Sequence, residues 1–101
     1  MKISKTNAKL IAKNFKINLN IIPLEELTYG LNVELEHGKK FGAITNITND
    51  NLNLTAKIVC AHLIEFPDYY KRLKSMETKA EKYWENKNKP NVFIINKISS
   101  N

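Results

Sequence analysis

Two short stretches bring ionisable side chains against apolar ones: Glu34-Leu35-Glu36-His37 and His62-Leu63-Ile64-Glu65. Glu34 and His37 are three residues apart, as are His62 and Glu65, so on helices each pair shares a face. A carboxylate and an imidazole at that spacing support three kinds of chemistry. They can build a buried hydrogen-bonded network, hold a divalent metal in the Glu-x-x-His manner of di-metal bundles, or pass a proton. The bundle metal site recruits two further carboxylates, and the chain offers no clear candidates for them. The network is therefore the leading expectation, with His62 donating to Glu34 or Glu36 and setting the register of two antiparallel helices. In Asp68-Tyr69-Tyr70, Asp68 reads as a helix-start acid and the tyrosines as aromatic packing. Tyr70 lies off the main apolar stripe, so its hydroxyl is the one expected to close the network.

Other catalytic patterns are missing. Cys60 and His62 are two apart and would point away from each other on a helix. There is no phosphate-binding Gly loop, dinucleotide fingerprint or nucleophile elbow. No catalytic residue is assigned and no cofactor expected, a divalent metal at the Glu/His cluster being the alternative. A second kind of chemistry, phosphate binding, needs only point charges. Lys5, Lys9, Lys13 and Lys16 recur at helical spacing, with Lys39-Lys40 and Lys71-Arg72-Lys74 as extensions. Base readout favours arginine, and Arg72 is the only one, so any nucleic-acid binding is expected to ignore sequence.

The elements that must position these residues read as helices. Thr6 can cap a basic N-terminal helix over 6–15, with Leu10 and Ile11 inward and Ala8 and Phe15 flanking. Ile17 to Ile22 forms an extended connector. Pro23 suits the first turn of a second helix, where Glu25 and Glu26 meet the positive end of the dipole. Leu24, Leu27, Leu31 and Leu35 make its core stripe, and Gly38 stops it after His37. Gly30 in mid-helix marks a close helix contact. A polar loop leads to a third helix over 52–66, apolar nearly all round and so expected to be central. Pro67 ends it and opens a fourth, running to about Asn86 and burying Tyr69, Leu73, Met76, Ala80 and Tyr83. After Pro90, Val92 to Ile98 is apolar and expected to dock on the bundle or mediate a dimer. The fold class is all-α: one domain over 1–101, a small bundle of about four helices with an extended C-terminal tail over 90–101.

Composition bounds the rest. The 101 residues carry 16 Lys+Arg against 10 Asp+Glu, a net charge of +6 and one cysteine. A chain of 43% apolar and 26% charged residues is ordinary for a folded domain. One cysteine excludes an internal disulfide, which favours a reducing, intracellular setting. No apolar run is long enough to span a bilayer and no signal-peptide core follows Met1, so no membrane partner is expected. Lysine, asparagine and isoleucine fill 41 positions, all residues of AT-rich codons, so part of the basicity reflects nucleotide bias.

The stretch from Tyr29 to Glu81 resembles a small domain-of-unknown-function family of bacteria, phages and large DNA viruses. The residues that carry the likeness are GLNVELEHG (Gly30 to Gly38), TNITND (Thr45 to Asp50) and AKIVCAHLIEFPDYYKRL (Ala56 to Leu73). The resemblance implies a core over 29–81, with the lysine-rich first helix outside it, and signature positions Glu34, Glu36, His37, His62, Glu65, Asp68, Tyr69 and Tyr70. It implies no activity. With the codon bias it suggests a phage or giant-virus origin, hence host cytoplasm or virion. The expected function is that of a non-enzymatic accessory or virion-associated binding protein. It would act by self-association or by non-specific nucleic-acid or protein binding, the alternative being a metal-binding module or metal-dependent enzyme built on the Glu/His cluster.

Overall fold

The computed structural model describes residues 1–90 and 92–94. Four helices follow in order: α1 (Lys5–Phe15), α2 (Leu24–Glu34), α3 (Leu52–Glu65) and α4 (Tyr69–Trp84). A 3-10 turn over Leu35–His37 extends α2, and no strand occurs among the described residues. The fold class is all-α, as the periodicity predicts. Of the expected tail, only Pro90 and residues 92–94 fall within the described residues, with Val92 and Ile94 exposed.

Packing centres on α2, which touches each of the other three helices. Its stripe works as read: Leu27 and Leu31 are fully buried, Leu35 nearly so, and Leu24 packs at the edge. Ile11 and Ala12 of α1 and Ala56, Val59 and Leu63 of α3 complete the core. The third helix is therefore not the central one. Its apolar surplus faces outward, with Leu54 and Ile64 exposed and Phe66 exposed just beyond its end. Three neighbours fit round α2, and α3 sits on one flank with only one face covered.

Local signals set the helix ends. Ser4, not Thr6, caps α1, its hydroxyl accepting from the Asn7 N–H at 3.1 Å. The shift follows from Ile3, which is buried and must stay extended. The side-chain amide of Asn32 on α2 takes the Ile3 N–H at 2.8 Å and donates to the Ile3 carbonyl at 2.9 Å. Lys16 ends α1 in the left-handed region, φ 55°. With Ile11 and Ala8 inward, Leu10 turns out to solvent, contrary to the sequence reading. Asn51 caps α3 by accepting from the Leu54 N–H at 3.0 Å. The loop before it folds back on the His37 carbonyl, which accepts the N–H groups of Ile47 and Thr48.

Helix α4 departs most from expectation. Of the stripe assigned to the core, Tyr69 and Leu73 pack at its edge, while Met76, Ala80 and Tyr83 are exposed. The residue α4 buries completely is Tyr70.

Candidate functional site

Glu34 is the last residue of α2 and only 3% exposed, which is costly for a carboxylate without partners. It has them. The Tyr70 hydroxyl donates to Oε2 at 2.5 Å, and His37 places Nε2 3.0 Å from Oε1. His62 comes in from α3 with Nε2 3.6 Å from Oε2. His37 reaches back from the 3-10 turn at i,i+3, so the break in α2 does not remove it from the cluster.

Gly30, one turn before Glu34, makes room for Tyr70. A Cβ at Gly30 would stand 2.7 Å from the Tyr70 ring, so any side chain there displaces the aromatic. This is the close helix contact that a mid-helix glycine signals. Tyr69 lies over His62, the rings stacked at 4.2 Å and 12°, and meets Tyr70 edge-on at 5.0 Å. Three rings and one carboxylate thus form a single packed unit between α2, α3 and α4. His37 and the partly exposed His62 are its routes to solvent.

Electrostatics keep the Tyr70 hydroxyl protonated. Burial, then the hydrogen bond and charge of Glu34, pushes the Tyr70 hydroxyl far above the ordinary tyrosine range. Tyr70 is therefore a locked donor, and both Glu34 oxygens are engaged. Burial alone raises the Cys60 thiol, which leaves it a poor nucleophile. Among the described residues no three His, Cys, Asp or Glu side chains gather into a metal-binding set.

Of the residues singled out in the sequence, Glu34, His37, His62 and Tyr70 come together; three others do not. Glu36 faces Lys40 at 3.8 Å, Asp68 binds Arg72 Nε at 3.0 Å, and Glu65 is exposed at the end of α3. His62 meets Glu34, and Glu36 is not its partner. Sequence reasoning missed Glu26. Its Oε2 accepts the N–H groups of Tyr70 at 2.8 Å and Lys71 at 3.0 Å, capping α4 from another helix. Asp68, adjacent to α4, makes no such cap. The only signal for Glu26 was an acid near a helix start, and it pointed to α2 itself.

The lysines sort differently. Lys5 faces Glu25 at 3.6 Å across exposed surface, while Lys9, Lys13 and Lys16 are exposed and make no ion pair among the described residues. Lys40 is held by Glu36 and lies 5.1 Å from the Phe41 ring centre. The Lys39 N–H donates to Asp50 Oδ1 at 3.0 Å, leaving its ammonium outward. No helix among the described residues is long and apolar enough to cross a membrane.

No curated protein and no solved structure matches the chain. A family described as a protein of unknown function, DUF5661, does, over residues 8–79. The match takes in most of α1, so Lys9, Lys13 and Lys16 lie inside the family region rather than outside it as the resemblance implied, while Lys5 precedes it. It also spans every member of the Glu34–Tyr70 unit, and the chain belongs to this family.

Proposed function

We propose that the chain is a non-enzymatic accessory protein that binds the phosphate backbone of nucleic acid through the outer face of α1. The observation that carries this reading is a separation of charge. Helix α1 contains no acidic residue, and Lys9, Lys13 and Lys16 stand exposed with no ion pair among the described residues. The carboxylates of the neighbouring α2 and its 3-10 extension are committed elsewhere: Glu25 to Lys5, Glu26 to the start of α4, Glu34 to the buried unit and Glu36 to Lys40. A row of unpaired ammonium groups at i,i+4 and i,i+3 spacing suits a polyanion, because each contact releases a condensed counterion. The non-enzymatic reading is supported by the Glu34–Tyr70 unit, which holds a buried carboxylate and a buried hydroxyl donor against each other.

Replacing Lys9, Lys13 and Lys16 together with glutamine should weaken binding to any duplex sequence alike. The log–log salt slope should fall by up to about 3 units, roughly 0.9 for each lost phosphate contact. Band shifts at a series of salt concentrations measure both. Absence of wild-type binding at low salt, or a triple variant with an unchanged slope, would remove this reading.

A further inference from the structure

The apolar residues of α4 fall at Tyr69, Leu73, Met76, Ala80 and Tyr83, in alternating steps of four and three. That is the d-a-d-a-d spacing of a heptad, which keeps one seam facing a partner helix along its whole length. The bundle supplies that partner only at the start. Beyond Tyr69, the residues of α4 that are not exposed are Tyr70, Leu73, Glu77 and Trp84. At 3.6 residues per turn this line lies about a quarter-turn away from the seam. From Met76 onward the seam is in solvent: Met76 is 60% and Tyr83 58% exposed, and Ala80 between them is exposed as well.

We propose that the second half of α4 is the contact surface for a second copy of this chain, the two helices running parallel and in register about a two-fold axis. Charge on the flanks of the seam selects this partner and this direction. The flanking g positions are Arg72 and Lys79, and the e positions that follow are Glu77 and Trp84. In a parallel pair each g residue meets the next e residue of the other helix. Arg72 then faces Glu77 of the second copy, and Lys79 faces Trp84 of the second copy, an ion pair and a cation over an indole. Each contact occurs twice by symmetry. An antiparallel pair instead sets g positions against g positions, Lys79 against Lys79 of the second copy, like charge against like charge.

The existing contacts leave Arg72 and Glu77 available. Arg72 uses Nε for Asp68, which leaves the two outer nitrogens of its guanidinium for a second carboxylate. Glu77 makes no ion pair among the described residues. Ala80 at the middle of the seam allows the two backbones to approach closely. Because the free seam from Met76 to Tyr83 is only about 11 Å long at 1.5 Å per residue, the contact is small and belongs to the reversible class. This surface is separate from the lysine row of α1, so either reading stands without the other.

Sedimentation equilibrium over roughly micromolar to millimolar concentration should show monomer passing to dimer. Met76→Glu sets two carboxylates against each other in the seam and should weaken association by about tenfold or more, with the melting of dilute protein unchanged. Direction is read by oxidation in a Cys60→Ser chain. Met76→Cys and Tyr83→Cys should each cross-link to an identical copy, since a disulfide needs Cα atoms within about 7 Å. An antiparallel pair sets each d position against an a position, so neither variant would cross-link alone and Met76→Cys would cross-link only when mixed with an Ala80→Cys chain. A single species at all concentrations, or a dimer untouched by Met76→Glu, overturns the surface. Cross-linking only in the mixture overturns the direction.

Discussion

The two halves of α4 share a helix and obey different rules. The first half is held by polar groups of α2: Glu26 takes the N–H groups of Tyr70 and Lys71, and Glu34 takes the Tyr70 hydroxyl. The second half has the more regular apolar pattern, yet Met76, Ala80 and Tyr83 stand in solvent. The helix is thus rotated by its polar anchors and not by its apolar stripe. Three directed bonds and one ring seated on a glycine outweigh a seam that spreads its contacts over five residues.

Removing the anchor ring should have the largest effect. Tyr70 is fully buried, so Tyr70→Ala should cost about 3–5 kcal/mol, the range for deleting a buried aromatic. Urea unfolding followed by circular dichroism measures it. A loss no greater than that of an exposed residue would mean that the two halves of α4 are held alike.

Next comes the seat. Gly30→Val would drive Cγ and Cβ atoms into the Tyr70 ring, whose nearest carbons stand 2.7 Å from a Cβ position. Overpacking of this kind costs about 1–3 kcal/mol, more than the fraction of a kcal/mol that valine gains over glycine as a helix former. A melting temperature equal to or above wild type would show that α4 can slide on α2, and the comparison would fail at its root.

The hydroxyl gives the smallest and most diagnostic effect. Tyr70→Phe leaves Glu34 without its nearest donor and should cost about 1–2 kcal/mol near neutral pH. Tyr70 keeps its proton in the fold well above the ordinary value of 10.0, because of burial and then Glu34. Its raised value means the contribution is complete below about pH 10, the unfolded tyrosine range, and is lost as pH rises past it. Wild type should therefore lose stability faster than Tyr70→Phe above that point. Parallel alkaline curves for the two proteins would show that the hydroxyl has no part in anchoring α4.

Much of the architecture was legible because it rests on short-range patterns. The leucine stripe of α2, the stop at Gly38, the contact at Gly30 and the meeting of Glu34 with His62 and Tyr70 follow from periodicity and residue type. What escaped depends on which neighbour arrives. Leu10 and the outer face of α3 look like core residues until α2 is found to have room for only one face of each. Glu26 could be assigned to its own helix alone, since nothing local says that the start of α4 lies against it. The stripe of α4 is a true heptad, and periodicity carries no information about whether a partner comes from the same chain.

The amide of Asn32 has a consequence of its own. A side-chain amide offers an acceptor and a donor side by side, so it can bond both the N–H and the C=O of one residue only where these point the same way. Extended backbone presents them so; helical backbone sets them in opposite directions along the axis. By holding both groups of Ile3, Asn32 acts as a single rung of ladder that admits one backbone geometry and rejects the other. Helix α1 cannot grow backward past Ser4 while that rung is occupied. Its length, and with it the rotational phase at which Lys9, Lys13 and Lys16 leave the surface, is metered by a residue on a different helix.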